Sequence, residues 1–277
     1  MSGLAHRLRA LLEAGRPAVL VRVVEVRGSA PREPGAAMLV TTEEIVGTVG
    51  GGMLEWRAIA RARTMLAAAE DEAALDLPLG PALGQCCGGR VRLLLRRADP
   101  ALLATLDAEE EREHARRPEV LLFGAGHVGR ALARSLAPLP LRLVWVDPRP
   151  EAFPPSPPQG IRLRPGPAPV RAFAEHPAAR ACLVATHDHG LDFELVAEAL
   201  GRGTIVYCGL IGSASKKARF LAGLRALGRC EDELARLVCP IGGPSRDKRP
   251  EVIAALATAE LWRALEAAAP GIGEHER

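Results

Sequence analysis

Short apolar runs broken by glycine and proline make up most of the chain, and their period changes near residue 119. Upstream the pattern is mixed. Leucines interspersed with His6, Arg7, Arg9 and Glu13 predict a surface helix over residues 3–14. A strand is predicted over 18–26, then a turn-rich stretch over 27–36 and two short strands over 38–41 and 45–48. Gly50-Gly51-Gly52 opens a helix over 53–69, and a last strand over 91–96 is apolar enough to be central. Residues 107–117 are a charge run, read as an exposed helix or linker.

Beyond residue 119 the chain repeats strand, glycine turn and helix. Apolar runs suited to buried parallel strands lie at 120–123, 141–146, 181–185 and 204–208. A short strand near 161–164 sits inside the proline-rich stretch 148–169, and helices are predicted over 128–136, 191–200, 215–227 and 250–269. The pattern predicts an α/β protein: a C-terminal Rossmann-like, doubly wound parallel sheet with a smaller N-terminal mixed α/β domain. The expected boundaries are 1–105 for the N-terminal domain, 106–118 for a linker and 119–277 for the Rossmann-like domain with its C-terminal helix.

Composition narrows the function classes. Hydrophobic residues are 48% of the chain but aromatics only 3%, so the cores are built from leucine, valine and alanine. The net charge of +3 is spread along the chain, which argues against nucleic acid as a partner. No run reaches the roughly 18 to 20 apolar residues that cross a bilayer, and the N-terminus reads as a surface helix, not a signal peptide. A cytoplasmic location is expected, with the six cysteines as free thiols. They form no C-x-x-C pair of the kind a structural zinc site uses.

Five segments concentrate chemistry. Gly84-Gln85-Cys86-Cys87-Gly88-Gly89 places neighbouring thiols among glycines. Adjacent Cα atoms lie about 3.8 Å apart, short of the usual disulfide span of roughly 4.4 to 6.8 Å, so the pair suits holding a soft atom better than bracing the fold. Gly124-Ala125-Gly126-His127-Val128-Gly129 follows a predicted strand and opens a helix, the context of a phosphate-binding turn, and Asp147 ends the next strand, where an acid can accept from a ribose-like hydroxyl. Thr186-His187-Asp188-His189 and Gly209-Leu210-Ile211-Gly212-Ser213 fall beyond later strands and complete a possible crevice, with Lys216 and Lys217 adding positive charge at a helix start. In the first domain, N–H groups of Gly50, Gly51 and Gly52 can cradle an anion.

Together these segments resemble the XdhC/CoxI family, the accessory proteins of xanthine dehydrogenase and related molybdenum hydroxylases, and within it the XdhC branch. The resemblance rests on Gly28-Ser29-Ala30-Pro31-Arg32, the loop 47–55, the cysteine loop, Gly124 to Gly129, Asp147-Pro148-Arg149 with Phe153, Thr186 to Asp188 and Gly209 to Ser213, in order along nearly the whole chain. It implies a chaperone that binds the molybdenum cofactor in its molybdopterin form. Such a chaperone supports sulfuration of the cofactor with a cysteine desulfurase and delivers it to the apo xanthine dehydrogenase. Homodimers occur in the family. Cys86 and Cys87 are then the expected thiols for molybdenum or sulfur. Gly50, Gly51, Gly52, Gln85, Gly124, Gly126, His127, Gly129, Asp147, His187, Asp188, Gly212 and Ser213 are the expected cofactor-binding residues. The alternative is an NAD(P)-dependent oxidoreductase using the second domain, with His187 or His189 as proton donor. It leaves the cysteine loop without a role.

Overall fold

In the computed structural model, which describes residues 3–79 and 89–269, the change of period near residue 119 separates two sheets of opposite kind. The chain divides into two units, Met1–Glu113 and His114–Arg277. The first contains an antiparallel sheet of β1 (Val19–Arg27), β2 (Ala37–Val40), β3 (Ile45–Gly47), β4 (Glu72–Pro78) and β5 (Arg90–Arg97), ordered β3-β2-β1-β5-β4. Along β5, Val91, Leu93 and Leu95 are buried while Arg90 and Arg92 face solvent, the period-2 pattern of a strand with one side on the core. Helix α2 (Gly52–Ala68) covers that side through Leu54, Ala58, Ala62 and Met65, which recur at helical spacing. On the opposite side, Leu20 and Leu39 pack with Ala5 and Leu8 of α1 (Leu4–Glu13) and with Leu102 and Leu106 of α3 (Pro100–Arg116). Arg22 of β1 adds a two-pronged ion pair to Glu109 of α3, at 2.9 and 2.6 Å.

Two parts of this unit differ from the sequence expectation. Residues 106–118, expected as a linker, lie mostly in the second half of α3. β4 was not predicted: its Glu-Ala-Ala-Leu-Asp-Leu-Pro sequence has no β-branched residue and is an edge strand held by pairing with β5 from Glu72↔Arg96 to Pro78↔Arg90.

The second unit is built on a wholly parallel sheet of β6 (Glu119–Phe123), β7 (Arg142–Asp147), β8 (Arg162–Pro165), β9 (Ala181–Val184), β10 (Tyr207–Leu210) and β11 (Leu237–Val238). Every residue of β6 and β9 is buried, as expected of strands covered on both faces. Helices α4 (His127–Leu136) and α9 (Pro250–Ala267) cover one face around Leu122, Trp145 and Leu183. The other face, around Leu121, Phe123 and Val184, is covered by α5 (Ala172–Glu175), α6 (His189–Leu200), α7 (Ala214–Ala226) and α8 (Glu231–Leu234).

β10 (Tyr207–Leu210) runs past the end its sequence suggests, because Gly209 is a strand residue and not a breaker. A Cβ there would lie 2.7 to 2.9 Å from the side chains of Tyr207, Ile241 and Leu183, so close packing requires glycine. The spatial order β11-β10-β9-β6-β7-β8 means that the chain builds outward through β7 and β8, then returns to the other side of β6. A crevice opens beyond the carboxyl ends of β6 and β9, at that reversal. No helix among the described residues is long and apolar enough to cross a membrane.

Leu93 is fully buried at the centre of the antiparallel sheet. Leu93→Ala is expected to lower stability by about 2–5 kcal/mol, read by urea denaturation; a loss below 1 kcal/mol would mean that this core is not packed as described.

Candidate functional site

The turn after β6 contains three glycines that have different reasons to be glycine. Gly124 has φ +105°, and a Cβ on it would lie 2.3 Å from the carbonyl oxygen of Ala185. At Gly129 a Cβ would lie 1.9 Å from the Gly124 oxygen, so the first turn of α4 rests directly on the end of β6. Trp145 secures the contact by donating its indole N–H to the same oxygen at 2.9 Å. Gly126, the residue before α4, has an ordinary φ of −71°, and a Cβ there would meet nothing within 4 Å. Neither strain nor packing requires glycine at 126. Its bare Cα leaves open an approach to the first-turn N–H groups of α4, which have no partners within the helix.

Asp147, at the end of β7, has partners other than the ribose-like hydroxyl expected from the sequence. The residue is 1% exposed. Its Oδ2 accepts the Ala125 N–H at 2.7 Å and Arg149 Nη2 at 3.2 Å, while Oδ1 accepts the Arg149 N–H and Nε, both at 3.0 Å. Burial pushes this carboxyl up, but the Arg149 side chain and the two backbone N–H groups outweigh it and hold the group below the usual range.

These residues surround a cleft of about 260 Å³ lined by Gly124, Gly126, His127, Val128, Arg149, Ala185, Thr186, His187 and Ile211. Its polar wall is cationic or neutral, and three helices, α4, α6 and α7, begin near the carboxyl ends of the strands. A second cavity, of about 320 Å³, meets the first at Ile211 and is lined by Gly212, Ser213, Pro240, Ile241, Ile253 and Leu256 among others. The rim between them is pinned from below. Thr186 donates its hydroxyl to Asp192 Oδ1 at 2.6 Å, and Lys216 bridges Asp192 Oδ2 at 2.6 Å and the Ile211 oxygen at 3.0 Å.

Lys216 is therefore buried and neutralised and is not a charge offered to a ligand, contrary to the sequence expectation. Gly212 is required by packing, since a Cβ would lie 2.7 Å from Lys216 Cδ. Ser213 caps α7 by accepting the Lys216 N–H at 3.2 Å. Asp188 caps α6, accepting the N–H groups of Gly190 and Leu191 at 2.7 and 3.2 Å. Those bonds hold its carboxyl below the usual range.

The glycine loop of the first unit does cradle an anion, but the anion belongs to the chain itself. Glu55 Oε2 accepts the Thr48 hydroxyl at 2.5 Å and the N–H groups of Val49 and Gly51 at 3.2 and 3.0 Å, while Gly50 N–H bonds Thr48 Oγ1 at 3.2 Å. Burial pushes the Glu55 carboxyl up. The donors overcome that and leave it lowered. Gly50, Gly51 and Gly52 all have positive φ, which is what the wrap around this carboxylate demands. Gln85, Cys86 and Cys87 lie outside the described residues. Of the described cysteines, Cys182, Cys208 and Cys239 are buried and Cys230 is exposed, and none of the four is in a disulfide. Among the described residues no three His, Cys, Asp or Glu side chains are grouped to hold a metal.

Sequence reasoning did not assign Arg149, Asp192 or Glu55 to these places. Arg149 had a signal, standing two residues beyond the acid that ends β7. Asp192 had none, because its partner Lys216 is on another helix.

Strand order and glycine turn define a protein with a Rossmann-type unit joined to an antiparallel sheet unit. Residues 120–261 match the XdhC Rossmann domain and residues 11–76 match the XdhC and CoxI family, and the chain belongs to that family. It is 30% identical over 270 residues to the uncharacterised protein YqeB of Escherichia coli K12. The match takes in 95% of this chain and 46% of YqeB, so the chain spans about half the length of that curated relative. A crystal structure described as a xanthine dehydrogenase from Bacillus halodurans has the same fold over 98% of both chains, with a TM-score of 0.74 and 19% identity.

Because the folded Asp147 carboxyl titrates below the unfolded one, its stabilisation is complete above about pH 4 and is lost as pH falls through the folded pKa. Asp147→Asn is expected to lower stability at pH 7 by about 1–3 kcal/mol, with the gap to wild type narrowing at pH 3. Urea denaturation at both pH values reads this; an equal gap at both would contradict it.

Proposed function

We propose that this chain is an accessory chaperone that binds the molybdenum cofactor in its molybdopterin form, supports its sulfuration with a cysteine desulfurase, and delivers it to an apo xanthine dehydrogenase. Membership of the XdhC and CoxI family supports the accessory role. The observation that carries the binding reading is Gly126. It is the one glycine of its turn whose missing side chain serves neither backbone nor packing, and it lines the cleft at the start of α4, where helix N–H groups suit a phosphate.

Within that reading, the turn around Gly126 and His127 receives the phosphate of the pterin, with Arg149 and His187 lining the same cleft. Thr186 and Ile211, held by the Asp192–Lys216 pair, set the far rim. Cys86 and Cys87 are assigned to molybdenum or sulfur by chemistry, since thiolates are soft ligands and nucleophiles toward sulfur. The engagement of Asp147 by Ala125 and Arg149 removes support from the nicotinamide alternative, which needs that carboxylate for a ribose.

The test is retention of molybdenum and pterin on a sizing column after the purified chain is mixed with free cofactor. Wild type is expected to retain both near one per chain. Gly126→Val is expected to lower retention about tenfold or more by blocking the phosphate N–H bonds, while its stability changes by under about 1 kcal/mol. Undiminished retention by a well-folded Gly126→Val would place the phosphate elsewhere. For the thiols, the Cys86→Ala, Cys87→Ala double variant is expected to fold normally by circular dichroism yet activate the apo dehydrogenase poorly. Full activation would remove the proposed thiol role.

A further inference from the structure

Arg149 stands just past the carboxyl end of β7, where a dinucleotide fold places the groups that read its ligand. Its side chain lines the same cleft as Gly126 and His187 and remains 42% exposed. Nε and Nη2 are bonded to Asp147 at 3.0 and 3.2 Å, and Nη1 makes no hydrogen bond to a described residue. A guanidinium carries five N–H donors in a fixed plane, so an edge is left that matches two oxygens of a phosphate. Asp147 is in the converse condition. A carboxylate has about four acceptor positions, and Ala125 and Arg149 between them make four bonds to this one. A ribose diol entering the cleft would have to displace one of these four bonds.

We propose that Arg149 makes this cleft selective for a phosphomonoester, held through its unbonded edge together with the Gly126 turn, and that by saturating Asp147 the same side chain closes the cleft to the ribose of NAD. This selectivity rests on the cofactor-binding reading above and goes beyond it by naming the residue that discriminates and the ligand that is refused. The chemistry is that of a phosphate dianion on a larger molecule. A pterin phosphate and the 2′-phosphate of NADPH both present it, so the experiment separates these two sources.

Four probes bind or fail to bind the full chain, measured by fluorescence titration: flavin mononucleotide, a fused heterocycle with a terminal phosphate; riboflavin, the same ring without it; NADH; and NADPH. Wild type is expected to bind flavin mononucleotide about tenfold or more tightly than riboflavin or NADH. Arg149→Met is expected to erase that preference, and Arg149→Lys, which keeps the charge without the fork, to restore part of it. Should Arg149→Met fold poorly because Asp147 is left unpaired, the Asp147→Asn, Arg149→Met double variant removes both charges and must show the same loss.

NADH binding as tightly as flavin mononucleotide, or an unchanged preference in folded Arg149→Met, would overturn the selectivity. NADPH outcompeting flavin mononucleotide in an Arg149-dependent way would support phosphomonoester recognition by Arg149 and overturn the pterin reading of the cleft. Binding of none of the four by wild type would overturn both.

Discussion

The buried carboxylate of Asp147 ties two pieces of backbone together. It takes the Ala125 N–H from the turn after β6 and both the N–H and the side chain of Arg149 beyond β7. Gly124 makes this possible because its left-handed φ turns the chain sharply enough to present the Ala125 N–H to the neighbouring strand. The start of α4 then follows, with Gly129 resting on the Gly124 oxygen and Trp145 bonded to it. The turn is thus formed by the protein's own bonds before any ligand arrives, and a ligand does not bear the entropy of ordering it.

Two glycine loops in one chain behave oppositely, and one nearby side chain decides which way. Four residues after Gly51 comes Glu55, which folds back one helical turn and fills the loop with its own carboxylate. Four residues after Gly126 comes Arg130. It donates to the carbonyl oxygens of Ala125 and Ala152 and places no acceptor on the N–H groups at the start of α4. A loop rich in glycine is therefore filled from within where the chain supplies an acid one turn ahead, as Glu55 does here. That distinction can be read from sequence, although the glycines alone do not reveal it.

Much of the second unit was legible because its signals are local. Buried parallel strands are nearly continuous apolar runs, and the Gly124 to Gly129 turn sits between one such run and a helix. What escaped depends on contacts between distant segments. β4 is acidic and alanine-rich and becomes a strand only because β5 pairs with it. The end of β10 was misplaced because Gly209 reads as a breaker until the side chains around it are seen. Lys216 resembled a solvated charge at a helix start, and only the approach of Asp192, 24 residues away, shows it to be a buried clamp. That pair joins Thr186 on one loop to Ile211 on the next, so the rim between the two cavities is held by a charge pair the sequence does not announce.

The proposed function rests on one claim: the cleft beyond β6 and β9 receives a phosphate at Gly126, with Arg149 lining the same cleft. The most direct measurement is a crystal structure of the chain loaded with the molybdenum cofactor. The account predicts phosphate oxygens within hydrogen-bonding distance of the N–H groups at the start of α4 and of the Arg149 guanidinium. A bound cofactor whose phosphate lies outside this cleft, with the turn empty, would contradict it.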